Sequence, residues 1–256
     1  MDKLQIAQFR CRSDNFGLLV HDPASGLTAS IDTPDGETIA GELKQRGWQL
    51  SHIFNTHHHY DHVPGNLELK EQTGCTIVGA KNDAHRIPGI DVQLEDGETY
   101  QFGSHTITML ETPGHTLGSV CFFFEPDHIL FTGDTLFSMG CGRMFEGSKE
   151  IMWSSMQKLL ALPDDTQIYC GHEYTVSNAS FALEVEPGNK ALQERAKEVK
   201  ELRRERKDTL PVSLGTEKAT NPFLRTNSAD IQKYFDLEGR PEAEIFGAMR
   251  ELKNDF

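Results

Sequence analysis

Short hydrophobic runs, separated by turn-forming residues, predict β-strands through the first two thirds of the chain. Residues 17–20 and 27–31 flank a turn sequence at 22–26, so they are predicted to form a hairpin. Residues 105–110 alternate between polar and apolar side chains, as a strand with one buried face does. The polar stretch before them, residues 80–104, is predicted to be a loop. Further strands are predicted at residues 53–54, 75–79, 120–124, 129–131 and 167–170.

Hydrophobic residues three and four positions apart predict helices in other segments. Residues 38–46 are predicted to form a short helix that ends at Gly47. In residues 192–202 the same spacing runs through a highly charged segment, which is typical of an amphipathic helix. The fold class is therefore α/β, with a domain over residues 1–172 and a helical C-terminal domain over residues 173–256. Other helices are predicted at residues 67–70, at 149–162 and from residue 242 onwards.

The composition excludes some classes of function. A chain of 256 residues that is 37% hydrophobic can bury a full core. Its net charge of −14 argues against a nucleic-acid-binding protein, although a few local cations could still hold a small anionic substrate. The five cysteines form no Cys-x-x-Cys pair, which indicates free thiols in a reducing compartment. With no signal peptide or membrane-spanning run in the sequence, we expect a soluble, cytoplasmic protein. The acidic charge favours a monomer.

A cluster of histidines is the strongest chemical signal in the sequence. Four histidines and one aspartate lie within residues 57–62, directly after a predicted strand. Imidazole nitrogen and carboxylate oxygen are ligands that Zn²⁺ and Fe²⁺ prefer. The alternation of His57, His59 and Asp61 lets side chains leave the backbone in two directions, and His62 follows at once, which suits two metals better than one. The alternative is a surface histidine run or a purification tag, but a tag would be terminal and uninterrupted.

Three more ligand-type residues lie just past the ends of predicted strands. They are His115, Asp134 and His172, each beside glycine or proline or both. If these strands share a sheet, their ends lie along one edge, and the three side chains can converge on the histidine cluster. Each residue alone is weak evidence, because a single histidine after a strand is more often an ordinary surface residue. Their joint occurrence predicts a metal site.

These residues belong to motifs that point to a known family. The first motif is the histidine cluster, Thr-His-His-His-Tyr-Asp-His (56–62). The others are Thr-Pro-Gly-His-Thr (112–116), Phe-Thr-Gly-Asp-Thr-Leu-Phe (131–137), Gly-Cys-Gly-Arg (140–143), Tyr-Cys-Gly-His-Glu-Tyr (169–174) and Asn-Pro-Phe-Leu-Arg (221–225). Residues 57–62 resemble the His-x-His-x-Asp-His motif of the metallo-β-lactamase fold superfamily. Over essentially its full length the chain resembles glyoxalase II, the hydroxyacylglutathione hydrolases. The resemblance implies an αββα sandwich with two metals at its edge.

The resemblance also implies seven metal ligands divided between two divalent ions. One ion would be held by His57, His59 and His115, the other by Asp61, His62 and His172, with Asp134 bridging the two. Asp61 and Asp134 are also the expected catalytic residues. His58 would be a spacer with a structural role. Zinc is the expected metal, with iron and manganese as alternatives, because the same ligands suit all three.

The expected reaction is the hydrolysis of a glutathione thioester. Bound zinc lowers the pKa of water to roughly 7, so a hydroxide can attack the thioester carbonyl without a side-chain nucleophile. In agreement, the sequence contains no Gly-x-Ser-x-Gly motif, and Cys141 and Cys170 are expected to be packing residues. S-D-lactoylglutathione is the likeliest substrate by the resemblance, with glutathione and D-lactate as products, in the second step of methylglyoxal detoxification.

Five residues are implied as substrate contacts by the resemblance. Arg250 and Lys253, three apart on the predicted last helix, would bind the glycine carboxylate of glutathione. Without the family match, a solvated helix face with cations near its C-terminus would be the preferred interpretation. Phe145 stands where close relatives often have tyrosine, and Arg143 where they often have lysine, which changes a point charge to a planar fork. The set is Arg143, Phe145, Tyr174, Arg250 and Lys253.

Three alternatives remain at this point. The first is an iron-dependent glutathione persulfide dioxygenase of the same fold, against which the helical residues 173–256 argue. The second is another hydrolase of the fold, such as a lactonase or β-lactamase, which does not need the terminal basic pair. A binding module without activity is the remotest alternative, because all seven ligand positions are intact.

Overall fold

The computed structural model describes residues 3–256, so the first two residues of the predicted 1–172 domain lie outside the described part. The chain forms two compact units. The first unit is the chain up to Glu111 together with Gly118–Gly133, and the second is Thr112–Leu117 together with Asp134–Phe256. In the described part of the chain, no helix combines the length and apolar character needed to cross a bilayer.

The first sheet of the first unit begins with an antiparallel meander and continues as a parallel sheet. The first three strands pair antiparallel, and the remaining ones pair parallel, in chain order across the sheet. The predicted hairpin at residues 17–31 is confirmed by the second and third strands. The strands are β1 (Gln5–Cys11), β2 (Asn15–His21), β3 (Thr28–Ile31), β4 (His52–Phe54), β5 (Thr76–Ala80) and β6 (Val92–Leu94).

Four antiparallel strands form the second layer of this unit. They are β7 (Thr99–Phe102), β8 (His105–Glu111), β9 (Val120–Phe124) and β10 (Ile129–Gly133). They neighbour one another in the order β10, β9, β8, β7. All five residues of β9 are buried, which explains its continuous apolar sequence. Phe54 of the first sheet contacts Phe122 and Phe102 of this layer, with ring centroids 5.3 and 6.1 Å apart, so the core lies between the two.

Two helices cover the outer face of the first sheet. They are α1 (Gly36–Arg46), which ends at Gly47 as predicted, and α2 (Asn66–Thr73). Ile39 and Leu69 of these helices pack on Leu19 and Ile77 of the sheet. Asp35 caps α1 by accepting a hydrogen bond from the backbone N–H of Thr38.

The prediction of a loop over residues 80–104 was wrong, because β6 and β7 lie within it. Both strands are short and half-exposed, and polar side chains such as Gln93 and Gln101 occupy their solvent faces. A strand of three or four residues gives too few alternations for its period to be recognised.

The described residues of the second unit form two small pairs of strands and six α-helices. The strands β11 (Leu136–Phe137) and β12 (Gly140–Cys141) form one antiparallel pair, and β13 (Gln167–Cys170) and β14 (Val212–Ser213) form the other. The predicted helices at 149–162, at 192–202 and from 242 are confirmed, within a few residues at their ends. The helices are α3 (Lys149–Leu160), α4 (Thr175–Val185), α5 (Lys190–Arg204), α6 (Leu214–Thr220), α7 (Ala229–Tyr234) and α8 (Glu242–Asp255).

Alanine and glycine residues allow these helices to pack closely together. Ala179 and Ala182 of α4 pack on Ala196 of α5 in a shared buried cluster. A Cβ atom at Gly247 of α8 would lie 2.6 Å from the Lys149 side chain at the start of α3, so glycine permits the close approach of these helices. The last helix is therefore docked on its own unit through buried residues.

Buried polar side chains of the second unit hold the β11–β12 turn. The carboxylate of Glu217, on α6, accepts hydrogen bonds from the Ser138 hydroxyl (2.8 Å), the Met139 backbone N–H (2.7 Å) and the Asn221 amide (3.0 Å). The Asn221 amide also donates to the carbonyl oxygens of Phe137 and Gly140. This turn carries the chain from Asp134 to Arg143, two residues of the predicted site.

We expect Glu217→Ala to lower the free energy of unfolding by about 3 kcal/mol, because the buried Ser138 hydroxyl and Met139 N–H both lose their acceptor. Urea denaturation followed by circular dichroism measures the change. Glu217→Gln keeps one acceptor oxygen and should lose less, and the exposed Glu205→Ala serves as a control. Equal stability of the Glu217→Ala and Glu205→Ala variants would contradict the prediction.

Candidate metal centre

The histidine cluster lies in the first unit, in the segment that follows β4. Asp32, directly after β3, adopts a left-handed backbone conformation (φ 56°). Its carboxylate accepts hydrogen bonds from the backbone N–H of Thr56 (2.7 Å) and from the Thr56 hydroxyl (2.6 Å). The first residue of the segment is thus fixed to the neighbouring strand end before the first histidine.

Four predicted ligands of this segment present their donor atoms in two close pairs. The Nε2 atom of His57 and the Nδ1 atom of His59 are 3.1 Å apart. The carboxylate oxygen Oδ2 of Asp61 and Nε2 of His62 are 3.5 Å apart. Two ligands of one tetrahedral zinc lie about 3.3 Å apart, given metal–ligand bonds of about 2.0 Å. Both spacings therefore fit shared coordination of an ion.

Two residues that support these ligands were not predicted from the sequence. The Nδ1 atom of His62 lies 2.8 Å from Oδ2 of Asp32, which directs Nε2 of the ring to the ligand position. The Asn15 amide donates to both Oδ2 (3.0 Å) and the carbonyl oxygen (3.2 Å) of Asp61. The position of Asp32 just past β3, matching that of the predicted ligands past their strands, is the signal that could have found it.

His58 has a different partner from its neighbours. Its Nδ1 atom lies 2.9 Å from a carboxylate oxygen of Asp83, which is fully buried. Asp83 also binds the Arg86 side chain. This contact agrees with the prediction that the ring of His58 has a structural role.

The second unit brings the remaining three predicted ligands together. Oδ2 of Asp134 lies 3.6 Å from Nε2 of His115 and 3.4 Å from Nε2 of His172. All three side chains are buried, and Asp134 is 9% exposed. One carboxylate oxygen between two imidazole nitrogens is the arrangement that a bridging ligand requires.

The surrounding backbone restricts both the tautomer of His115 and the residue type at position 142. The Nδ1 atom of His115 lies 2.9 Å from the carbonyl oxygen of Arg143, so this nitrogen is the donor, and the lone pair of the neutral ring lies on Nε2. A Cβ atom at Gly142 would clash with the carbonyl oxygen of Asp134 and lie 3.0 Å from Nδ1 of His115. Only glycine fits at this position. The donor set, which is neutral imidazole and carboxylate, fits zinc, iron or manganese.

Three predicted substrate contacts form a cluster of cations in the second unit. Arg250 is only 3% exposed, and its guanidinium donates to the carbonyl oxygen of Cys141 (2.7 Å). Lys253 donates to the Ser177 hydroxyl (3.0 Å). Burial first, then the charges of Arg250 and Arg143, lowers the pKa of Lys253 to about 8. The solvated helix face that the sequence left open is therefore excluded for Arg250.

The cation cluster Arg143, Arg250 and Lys253 has no carboxylate partner in the described part of the chain. Arg143 is exposed, and none of the three forms an ion pair there. The buried Nε atom of Arg250 also has no hydrogen-bond partner. Like charges gathered without counter-charges favour the binding of an anion.

The two aromatic contacts predicted from the sequence flank ligands of the second unit. The ring of Phe145 lies 5.3 Å from that of His115, edge to face, and is 62% exposed. The ring of Tyr174 stacks on His172, with centroids 4.8 Å apart. Each places an exposed aromatic surface next to a predicted metal ligand.

The cysteines have no catalytic environment. All five are buried and none forms a disulfide. Burial raises the pKa of Cys141 to about 11 and that of Cys170 further still, so neither is a thiolate at neutral pH. The prediction of packing residues is confirmed for both.

Comparison with known proteins agrees with this geometry. Residues 17–172 match the family model of the metallo-beta-lactamase superfamily, and residues 173–256 match that of the hydroxyacylglutathione hydrolase C-terminus. The chain is 51% identical to a hydroxyacylglutathione hydrolase of Rhizobium etli over 256 residues, all of both chains. The chain belongs to the hydroxyacylglutathione hydrolase family. A relative of the same description from Methylococcus capsulatus is 53% identical over 253 residues, 99% of each chain.

A solved structure extends the likeness to the fold. The crystal structure of ETHE1 from Myxococcus xanthus superimposes with a TM-score of 0.67 at 25% identity, covering 96% of each chain. The predicted αββα metallo-β-lactamase-like fold with a helical C-terminal part is confirmed. That alignment covers almost the whole chain, so the presence of residues 173–256 does not by itself distinguish this chain from the superimposed structure. The assignment to the hydroxyacylglutathione hydrolase family depends instead on the match of these residues to the C-terminal family model and on the full-length relatives.

We expect Asp32→Asn to weaken metal binding about 10- to 100-fold, because asparagine has only one acceptor oxygen. Either the Thr56 backbone N–H, or the Thr56 hydroxyl and the His62 N–H together, would then face an NH2 group and lose their acceptor. Competition with a chelating dye measures the affinity. Asparagine also tolerates the left-handed backbone at this position, which limits the effect on folding.

Asp83→Asn is the matched control for Asp32→Asn. It makes the same change in a buried carboxylate that binds a histidine outside the predicted ligand set. An equal loss of metal affinity in the two variants would show that Asp32 has no special role.

Proposed function

We propose that this member of the hydroxyacylglutathione hydrolase family cleaves S-(2-hydroxyacyl)glutathione, with S-D-lactoylglutathione as its substrate. The products are glutathione and a 2-hydroxy acid, D-lactate for that substrate. The observation that carries the proposal is Oδ2 of Asp134 between the Nε2 atoms of His115 and His172. This arrangement supports a binuclear metal hydrolase.

We propose that two divalent ions are held by the seven ligands predicted from the sequence. The ligand sets are His57, His59 and His115 for one ion, and Asp61, His62 and His172 for the other, with Asp134 in common. The spacing of the pairs within the first unit supports this division. When bound, such ions lower the pKa of water and polarise a carbonyl oxygen. Zinc is the proposed metal, and iron or manganese would suit the same donors.

The chain's own residues keep these donor atoms in the protonation state that binding requires. Asp32 accepts the Nδ1 proton of His62, and the Arg143 carbonyl accepts that of His115, so in the neutral form of each ring the lone pair lies on Nε2. Asp61 and Asp134 are the proposed catalytic carboxylates. Hydrolysis adds water across the C–S bond: the acyl carbon gains oxygen, and the sulfur leaves as the thiol. No side chain needs to form a covalent bond.

The cation cluster and its aromatic neighbours are the proposed substrate-binding residues. A carboxylate of glutathione would be bound by Lys253, Arg143 and the edge of Arg250, whose buried Nε lacks a partner. Tyr174 and Phe145 would contact the peptide. Phenylalanine at 145 offers a surface without a hydroxyl, so packing replaces a hydrogen bond there.

We further propose a functional division of the chain at residue 172, with catalysis in residues 1–172 and substrate binding in 173–256. The two family models, which meet at this boundary, support it. A cytoplasmic location and a monomeric state stay predictions from composition. An iron-dependent glutathione persulfide dioxygenase is the alternative activity, and metal content together with the reaction products distinguishes the two.

We expect the purified protein to release thiol from S-D-lactoylglutathione, with about two metal ions per chain, and to lose the activity after chelation. Thiol release is followed with a chromogenic disulfide, and metal content by mass spectrometry. Asp134→Ala should lower kcat/KM at least about a hundredfold.

Asp127→Ala is the control for Asp134→Ala, because Asp127 binds His105 away from the predicted ligands. The proposed function fails if fully metallated protein releases no thiol. Oxygen consumption with glutathione persulfide, at one iron per chain, would then support the dioxygenase.

We expect KM for the thioester to be lowest well below pH 8 and to rise as the pH passes through about 8. The lowered pKa of Lys253, about 8, means that half of its ammonium form is already lost at this pH and most of it above. Bound carboxylate favours the charged form, so kcat should change little. Steady-state kinetics from pH 6.5 to 9.5, corrected for spontaneous thioester hydrolysis, measure the profile.

Lys253→Arg tests the origin of that profile, since arginine remains charged throughout this range. The rise in KM should disappear in this variant. A rise of the same size in wild type and Lys253→Arg would assign the titration to another group.

A further inference from the structure

Glutathione carries two carboxylates, one on its glycine and one on its γ-glutamyl group. The cation cluster of the second unit is proposed above to bind one of them. The following inference rests on that proposed function and concerns the other carboxylate. Binding this second carboxylate requires an exposed cation that the protein holds in place but does not neutralise.

Arg12 meets these conditions in the first unit. It lies in the turn between β1 and β2, and its side chain extends over the ring of Tyr60, with the guanidinium carbon 5.0 Å from the ring centroid. Its Nε atom donates to the carbonyl oxygen of Pro34 (2.6 Å). These two contacts fix the base of the guanidinium and leave its terminal nitrogens at the surface.

The backbone at Arg12 also indicates a specific requirement. Its φ of 49° lies in the left-handed region, where a long side chain costs on the order of 1 kcal/mol. Glycine or asparagine would suit this turn better. The side chain therefore occupies the position despite the conformation that its backbone must adopt.

No carboxylate of the described chain forms an ion pair with Arg12. The charge of Arg12 acts on Asp35, but the Asp35 carboxylate is engaged as the cap of α1, where it accepts from the Thr38 N–H. Asp14, in the same turn as Arg12, accepts a hydrogen bond from the Ser13 hydroxyl. The guanidinium of Arg12 therefore keeps a charge that no carboxylate of the described chain contacts directly.

Tyr60 connects this cation to the predicted metal site. It lies between the ligands His59 and Asp61, and its ring is 73% exposed. Asp61 is itself bound by Asn15, which follows the turn that carries Arg12. A substrate whose thioester lies at these ligands can therefore reach Arg12 with a charged end group.

We propose that Arg12 binds the α-carboxylate of the γ-glutamyl group of the substrate, and that Tyr60 supports its side chain. Two parallel N–H···O bonds from the terminal guanidinium nitrogens to the carboxylate oxygens give the contact its direction. Arg12 is then a specificity-determining residue, which distinguishes intact glutathione thioesters from thioesters that lack this carboxylate.

The experiment compares two unreactive ligands on the metal-loaded, full-length protein by calorimetry. One is S-methylglutathione, and the other is its analogue with the γ-glutamyl α-carboxylate replaced by an amide. Wild type should bind the acid on the order of fivefold more tightly than the amide. Arg12→Ala should bind both with equal affinity, and Arg12→Lys should keep part of the preference.

Arg46→Ala is the matched control. The Arg46 guanidinium also lies over an aromatic ring, 5.3 Å from the centre of Trp48, and its loss changes the net charge equally. Trp48 stacks on His21, at the end of β2 that is about 20 Å from Asn15. This variant should keep the full preference for the acid.

Two results would overturn the inference, and they differ from failure of the proposed function. If wild type binds acid and amide equally, or if Arg12→Ala keeps the wild-type ratio, Arg12 is not the anchor, although thiol release from S-D-lactoylglutathione would still stand. If neither ligand binds wild type and no thiol is released, the proposed function and this inference fall together.

Discussion

The hydrogen bonds of the Asp32 carboxylate are the constraint on which the metal-binding segment of the first unit depends. One side chain accepts the backbone N–H and the hydroxyl of Thr56 and the ring N–H of His62. The start and the end of the ligand segment are thereby held at one point beside β3. Because the buried carboxylate can only accept, it also sets which nitrogen of His62 faces a metal. Position and protonation are controlled by the same group.

The second unit achieves the same control with backbone atoms. The carbonyl oxygen of Arg143 takes the role for His115 that Asp32 has for His62. A carbonyl can do so only if the chain passes very close, and Gly142 permits this approach. Glu217 and Asn221 then fix the preceding turn from within the helical part. The stability of α6 is therefore coupled to the geometry at a metal ligand far from it in sequence.

The sequence predicted most strands and helices, and the fold class, because their hydrophobic periods were long enough to read. It missed β6, β7, β11, β12 and β14, which have too few residues to show a period. Ligand-type residues were found because they follow strands and match motifs. Asp32 follows β3 as the predicted ligands follow their strands, but it matches none of the motifs, and Asn15 at the start of β2 carries no signal until its partner is known. The burial of Arg250 was likewise unpredictable, since it depends on contact with Cys141, which lies 109 positions earlier.

The charges of the second unit separate structural cations from those available to a ligand. Arg225, a structural arginine, is paired with the buried carboxylate of Glu186 through two hydrogen bonds of 2.9 and 2.8 Å. Arg250 and Lys253 are also partly removed from water but have no such partner, and the lowered pKa of Lys253 measures the cost. Arg225 is partly buried and has a carboxylate partner, whereas Arg250 and Lys253 form no ion pair in the described part of the chain. A bound anion would relieve their mutual repulsion, which supports the proposed binding of a substrate carboxylate in this part of the unit.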